Sequence, residues 1–170
     1  MGIRYYAYAF DSDQTGKALA DPKSMIGSDP LSDAWGVEPG SMMGIVGSVP
    51  ALPERDFLYL DKAWRFLQRA TAPRRSDATP RVAYQMFEGQ VDFDDDGCSW
   101  RPWVRALPPD AVAAVARDLE HISDGDIIAS LSPGTSLDAD AAYAAEYLHR
   151  ASRFAAAVAA DGRGLAYIIG

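Results

Sequence analysis

The chain has 170 residues, 48% of them hydrophobic, and a formal net charge of −8. That much apolar material can build one packed core, so wholesale disorder is excluded, and the acidic balance argues against a nucleic-acid or anionic-lipid surface. No apolar run approaches the about 20 residues a membrane helix needs.

Residues 3–10, Ile-Arg-Tyr-Tyr-Ala-Tyr-Ala-Phe, are aromatic-rich and free of breakers, which predicts a buried strand. Asp11 or Ser12 can then cap a short helix over 12–20. From Asp21 to Pro53 the chain is rich in Pro, Gly, Ser and Asp, which predicts a long loop with short turns. Phe57, Leu60, Trp64 and Leu67 recur at helical spacing, so a helix is expected over Asp56 to Arg69. Pro73 to Pro80 reads as a loop, Arg81 to Phe93 as a strand or strand-turn, and Asp94 to Gly97 as a turn. Pro108-Pro109 opens a helix whose Val112, Val115, Leu119 and Ile122 share a face. Ser132 to Ser136 is a loop. A long helix follows over about 138–160, with Tyr143, Tyr147, Ala151, Phe154 and Val158 as its stripe. Gly162 can end it, and Gly164 to Ile169 forms a terminal strand. Neither a repeat nor a shift in composition marks a boundary. The expectation is therefore a single α+β domain over 1–170, with a small mixed or antiparallel sheet packed against several helices.

Three stretches carry a resemblance to a known family. Tyr59-Leu60-Asp61-Lys62-Ala63-Trp64-Arg65-Phe66-Leu67 is similar to a Leu-Asp-Lys-x-Trp-x-x-Leu helix. Ala106-Leu107-Pro108-Pro109-Asp110-Ala111-Val112 leads to Leu119-Glu120-His121-Ile122-Ser123, and the long C-terminal helix runs into Gly162 to Gly170. With the Met1-Gly2 start and its tyrosines, these resemble the YfbM-like family, bacterial domains of unknown function. The resemblance implies an α+β fold and brings no established catalytic residues to carry over. The chain departs from the family pattern over Glu88 to Val104, with its Asp run and two tryptophans.

That stretch holds the candidate site. Asp92, Asp94 and Asp96, followed by Gly97, have the alternation of a calcium loop, whose hard carboxylates suit a hard cation. The twelfth position, where such a loop needs a bidentate Glu, is Trp103. Asp92, Asp94 and Asp96 are thus the metal candidates, with no cofactor expected beyond a weak calcium or magnesium ion. The competing reading is a solvated acidic turn paired with Arg101 or Arg105. Glu88, Asp95, Trp100, Arg101 and Trp103 are the candidates for contact with a partner, since Trp and Arg often anchor interfaces. At least one of the two tryptophans is expected in the core.

Elsewhere, Asp11-Ser12-Asp13-Gln14-Thr15 matches the D-x-D-x-T start of haloacid-dehalogenase-like phosphatases. Gly16 follows where an apolar residue is usual, and a helix cap explains Asp11 more simply. Cys98 is expected to pack as a small apolar residue. His121 and His149 are too few, with one cysteine, for a typical zinc site. No Walker, dinucleotide-binding, nucleophile-elbow or zinc-protease motif is present.

One thiol cannot form an internal disulfide, which suits a reducing compartment. The start Met1-Gly2-Ile3-Arg4-Tyr5 lacks a leader pattern, so a cytoplasmic protein is expected. The function expected is a non-catalytic protein-binding module, regulatory or immunity-like, presenting an acidic, tryptophan-bearing surface to a basic protein. The alternative is a metal-assisted hydrolase built on the 92–96 turn.

Overall fold

The computed structural model describes residues 3–27, 42–44, 47–49, 52–73, 78–95, 100–131 and 137–170. Among them, strand β1 (Tyr5–Phe10) leads into a 3-10 turn (Ser12–Gln14), helix α1 (Thr15–Ala20) and a second 3-10 turn (Pro22–Met25). Strands β2 (Met42–Gly44) and β3 (Gly47–Val49) pair as a small hairpin. The 21–53 stretch is therefore not all loop, and residues 28–41 of it lie outside the described residues.

The sequence periodicity misleads over 56–69. Phe57–Asp61 is a strand, β4, and the helix, α2, spans only Trp64–Thr71. In β4, Leu58 and Leu60 join the main core while Phe57 packs in a separate cluster on the other side of the sheet, the period of two expected of a strand. Leu60, Trp64 and Leu67 all reach one core, but from two elements, and that mimics a helical stripe. Pairing with β1 decides the matter: Tyr6 stands opposite Tyr59, Ala7 opposite Leu58 and Tyr8 opposite Phe57. Asp61 ends the strand at φ 46, a left-handed conformation that no continuous helix contains.

Within the 81–93 stretch, expected as a strand or strand-turn, residues 82–86 form a 3-10 helix and the strand is Asp92–Phe93, β5. Its partner is β6 (Trp100–Arg101). Pro102, which has no N–H to donate, separates β6 from β7 (Trp103–Leu107). Helix α3 (Pro109–Leu119) starts at the prolines as expected, with Val112, Val115, Ala116 and Leu119 buried. Helix α4 (Asp124–Ser130) was not foreseen. It is fixed by a capping box in which the Asp126 N–H donates to Ser123 Oγ at 3.2 Å and the Ser123 N–H donates to Asp126 Oδ2 at 3.0 Å.

Helix α5 (Leu137–Ala160) ends as the sequence indicates. Gly162 has φ 64, and the Arg163 and Gly162 N–H groups donate to the carbonyls of Val158 and Ala159 at 2.9 and 3.0 Å. These are the paired bonds of a Schellman motif, and they turn the chain into β8 (Gly164–Ile169). All six residues of β8 are buried, because β8 lies inside an antiparallel sheet of order β4-β1-β8-β7. One sheet face, bearing Tyr5, Ala7, Leu165, Tyr167 and Ile169, packs on α2, α3, α4, α5 and the 82–86 turn as the main core. The other face, with Tyr6, Tyr8, Phe10, Ala166 and Ile168, packs against Ala18, Met25 and Ile26. The fold is a single α+β domain with a long C-terminal helix. No helix among the described residues is long and apolar enough to cross a membrane.

Candidate functional site

Strands β5 and β6 pair as a two-stranded sheet of their own, which bears the described part of the acidic stretch and leads through Pro102 into β7, the edge strand of the main sheet. Register places Asp92 opposite Arg101 and Phe93 opposite Trp100. Asp92, Asp94, Asp95 and Arg101 are exposed, and Phe93 is 59% exposed. Phe93, Asp94, Asp95 and Arg101 line an open depression of about 400 Å³. The hairpin stands Arg101 across from the first carboxylate, where a guanidinium lessens repulsion along the Asp run.

Neither tryptophan of this stretch is buried, although at least one was expected in the core. Trp100 is half-buried against the main core, its ring tilted on Phe93 at a centroid distance of 6.2 Å. Trp103 is 38% exposed. Its ring lies on Gly89, which has φ 147 and no room for a side chain: a Cβ there would stand 2.4 Å from the indole. Gly89 is itself anchored, since Gln68 Nε2 donates to its carbonyl and to that of Phe87, both at 2.9 Å. Trp103 is therefore an exposed ring on a rigid seat.

Glu88 plays a different part from its neighbours. Its carboxylate is paired with Arg105, and its carbonyl accepts the Tyr167 hydroxyl at 2.6 Å. Arg105 thus serves Glu88 rather than the Asp run. Burial pushes the Tyr167 phenol up, against the opposing effect of Arg105 and Trp103. This chain of contacts locks the 84–89 segment to β8 and holds the site's floor still.

Asp96 and Cys98 lie outside the described residues. Among the described residues, no group of three or more His, Cys, Asp or Glu side chains is placed to hold a metal ion. Neither histidine joins the acidic hairpin. His121 follows α3, its Nδ1 2.7 Å from the Arg117 carbonyl, and His149 is a mostly exposed residue of α5 with Nε2 3.6 Å from Asp124.

Asp11 does not cap through its side chain, contrary to the expectation. Its Oδ1 stands 2.9 Å from Arg163 Nε, off the N–H direction, as an ion pair. Arg163 also donates through Nη1 to Asp56 at 2.6 Å. The Schellman turn sets Arg163 where β1 ends and β4 begins, so both carboxylates brace the end of the sheet. Asp13 is exposed on the adjoining turn.

A cluster that sequence reading passed over surrounds Asp61. Tyr143 donates its hydroxyl to Oδ2 at 2.7 Å, while Tyr59 and Arg4 Nε donate to Oδ1 at 3.2 and 3.3 Å. Burial, reinforced by the bond to and charge of Asp61, pushes the Tyr143 phenol well up. The only sequence signal was Asp61 itself, inside the stretch shared with the family resemblance. Its partners come from residues 4, 59 and 143 and meet only in the fold.

No protein-family profile and no curated protein matches the chain. Among solved structures it is similar to YfbM from Escherichia coli, a protein of unknown function. The match covers 99% of this chain and all of the other, at 15% identity and a TM-score of 0.52. The fold is therefore YfbM-like.

Proposed function

We propose that this domain is a non-catalytic, cytoplasmic protein-binding module, regulatory or immunity-like, which meets a basic partner through the β5–β6 hairpin. The observation that carries the reading is the pairing of two exposed aromatic rings, Phe93 and Trp103, with the exposed carboxylates Asp92, Asp94 and Asp95. Large apolar rings beside charge suit an interface: the rings supply the contact area, and the carboxylates steer a basic surface and set its register. Gly89 supports the same reading, because a seated indole loses little freedom on binding. Arg101 serves as a contact on the same face, and Glu88 as part of its frame.

The test is affinity capture from the native cell with the wild type and with an Asp92→Asn, Asp94→Asn, Asp95→Asn variant, followed by calorimetry on the captured protein. The expected partner is basic, binds less tightly as salt rises, and is lost or weakened at least about tenfold by the triple variant, the equivalent of about 1.4 kcal/mol. A partner that binds both proteins equally, whatever the salt, overturns the assignment. Calcium titration of the wild type adds a second arm. Binding weaker than about millimolar is expected, and a micromolar signal would favour the metal-dependent reading.

A further inference from the structure

The bonding pattern of the main sheet decides which main-chain groups its edge strand β7 turns outward. The Arg4 N–H donates to the Gly170 carbonyl at 2.9 Å, and the Gly170 N–H donates to the Arg4 carbonyl at 3.0 Å. These two residues are therefore a hydrogen-bonded pair, and such pairs alternate along an antiparallel ladder. Gly164, Ala166 and Ile168 turn their N–H and C=O toward β1, while Leu165, Tyr167 and Ile169 turn theirs toward β7. Opposite the latter stand Leu107, Arg105 and Trp103. Val104 and Ala106 are left with their N–H and C=O directed away from the sheet.

The two ends of this edge differ. Ala106 and Leu107 are buried, and Ala106 packs with Ala18, Met25 and Ile26. Val104 and Arg105 are half-buried, and Trp103 is exposed. The 84–89 segment lies on the core side of the strand, where Glu88 pairs with Arg105 and Gly89 underlies the Trp103 ring. Among the described residues, nothing bonds to the outward N–H or C=O of Val104. The sheet's other edge strand, β4, is flanked by α5. Unpaired main-chain groups on an edge are a template for a further strand.

We infer that binding adds a strand to this edge: a short, extended, basic segment of the partner lies along residues 103–105 and exchanges both main-chain bonds with Val104. The inference rests on the binding reading given for the β5–β6 hairpin and names how the partner is held. Trp103, the exposed ring of that reading, is the first residue of β7. Pro102 joins it to β6, so Asp92, Asp94 and Asp95 stand off the same end of the edge. Main-chain bonds fix the direction and register of an added strand, and its alternate side chains fall on opposite sides of the sheet. Those on the core side meet the Trp103 ring, and cationic ones beyond it reach the carboxylates of the hairpin. One residue pair gives only two main-chain bonds, so the ring and the carboxylates carry the larger share of the affinity. A second copy of this chain is the poorer occupant, because each copy carries a net charge of −8.

Amide-resolved NMR with hydrogen exchange tests this, using the capped peptide acetyl-Lys-Val-Arg-Val-Lys-Val-amide as the probe. In the free protein the Val104 amide should exchange far faster than those of Arg105 and Leu107, which bond to β8. The peptide should bind saturably, slow the exchange of Val104 and bind less tightly as salt rises. The same peptide methylated on its backbone nitrogens, and one with Glu in place of Lys and Arg, should not bind. Val104→Pro removes only an outward N–H, which an edge strand tolerates, so it should fold and bind at least about fivefold more weakly. Should that variant unfold, the methylated peptide still decides. Protection of Val104 in the free protein, equal binding of the methylated peptide or absence of saturable binding overturns the added strand. So does binding lost in the Asp92→Asn, Asp94→Asn, Asp95→Asn variant but kept by Val104→Pro and the methylated peptide, which leaves the hairpin reading standing. The converse pattern upholds the added strand and overturns the hairpin reading. Sedimentation should show a monomer, and a dimer abolished by Val104→Pro would give the edge to a second copy and overturn the proposal.

Discussion

Asp61 carries an unusual combination for one residue: a left-handed backbone and three side-chain donors from separate parts of the chain. The backbone conformation costs a non-glycine residue free energy, which the bonds of the carboxylate offset. Asp61→Ala removes the bonds and keeps the strain, so a loss of about 2–4 kcal/mol is expected. Asn tolerates this backbone region and keeps an acceptor, so Asp61→Asn should cost less. Thermal melts of the two variants check the order, and equal losses would mean the local conformation is not strained. Trp64, 5% exposed in the main core, sets a larger effect: Trp64→Ala should cost about 3–5 kcal/mol. Asp11 sets a small one. Its side chain is 70% exposed and, among the described residues, pairs only with Arg163, so Asp11→Ala should change stability by less than about 1 kcal/mol. A fall well beyond that in its melt would show that Asp11 does more than face an arginine.

Between elements, the joint of the 82–86 turn and α3 depends on pH. Asp118 accepts from the Ala83 N–H at 2.8 Å and from Arg81 Nη2 at 3.0 Å. Burial works against its charge, but the bonds from Arg81 and Ala83 and the charge of Arg81 outweigh it and hold the carboxyl below the usual range. A carboxylate depressed on folding stabilises above its unfolded pKa of about 3.9 and loses that contribution as pH falls through the lower folded value. The stability gap between wild type and Asp118→Asn should thus be full at neutral pH, about 1.5–3 kcal/mol, and close in acid below about pH 4. Denaturant melts across that range measure it, and a gap independent of pH would refute the linkage. The same scale explains the misread helix. Leu60, Trp64 and Leu67 satisfy a helical spacing, and only the β1 partner shows that Leu60 belongs to a strand. Helix α4 was legible in principle, as Ser123 and Asp126 spell a capping box, but it is too short for periodicity to reveal.

For the molecule as a whole, the central strands β1 and β8 come from opposite ends of the chain. Helices α3 and α5 pack on a sheet that is incomplete until β8 is in place, and α2 and α4 pack in turn on α5. Unfolding should therefore be one cooperative event, with near- and far-ultraviolet circular dichroism giving the same midpoint. Two separated transitions would show that part of the chain folds as an independent unit. Charge is unevenly divided: Asp92, Asp94 and Asp95 share the β5–β6 hairpin with Arg101, while Arg55, Arg150 and Arg153 share a groove beside β4 with Glu54. A charge total of −8 conceals that division, because composition has no direction.

The sequence by itself determined the α+β class, the first and last strands, the proline-led start of α3 and the glycine-led end of α5. Each of these rests on local chemistry: aromatic runs suit a pleated sheet, proline suits a first helical turn, and glycine accepts a left-handed turn. The acidic, tryptophan-bearing stretch was legible for the same reason, since its residues are neighbours in the chain. Tertiary structure alone decided that Phe57–Asp61 is a strand, that Glu88 answers to Arg105, that Asp11 faces Arg163, and that residues 4, 59, 61 and 143 form one cluster. These outcomes depend on partners up to 152 positions away, as for Arg163 and Asp11. The free energy of such contacts arises only once the sheet and its helices bring the groups together.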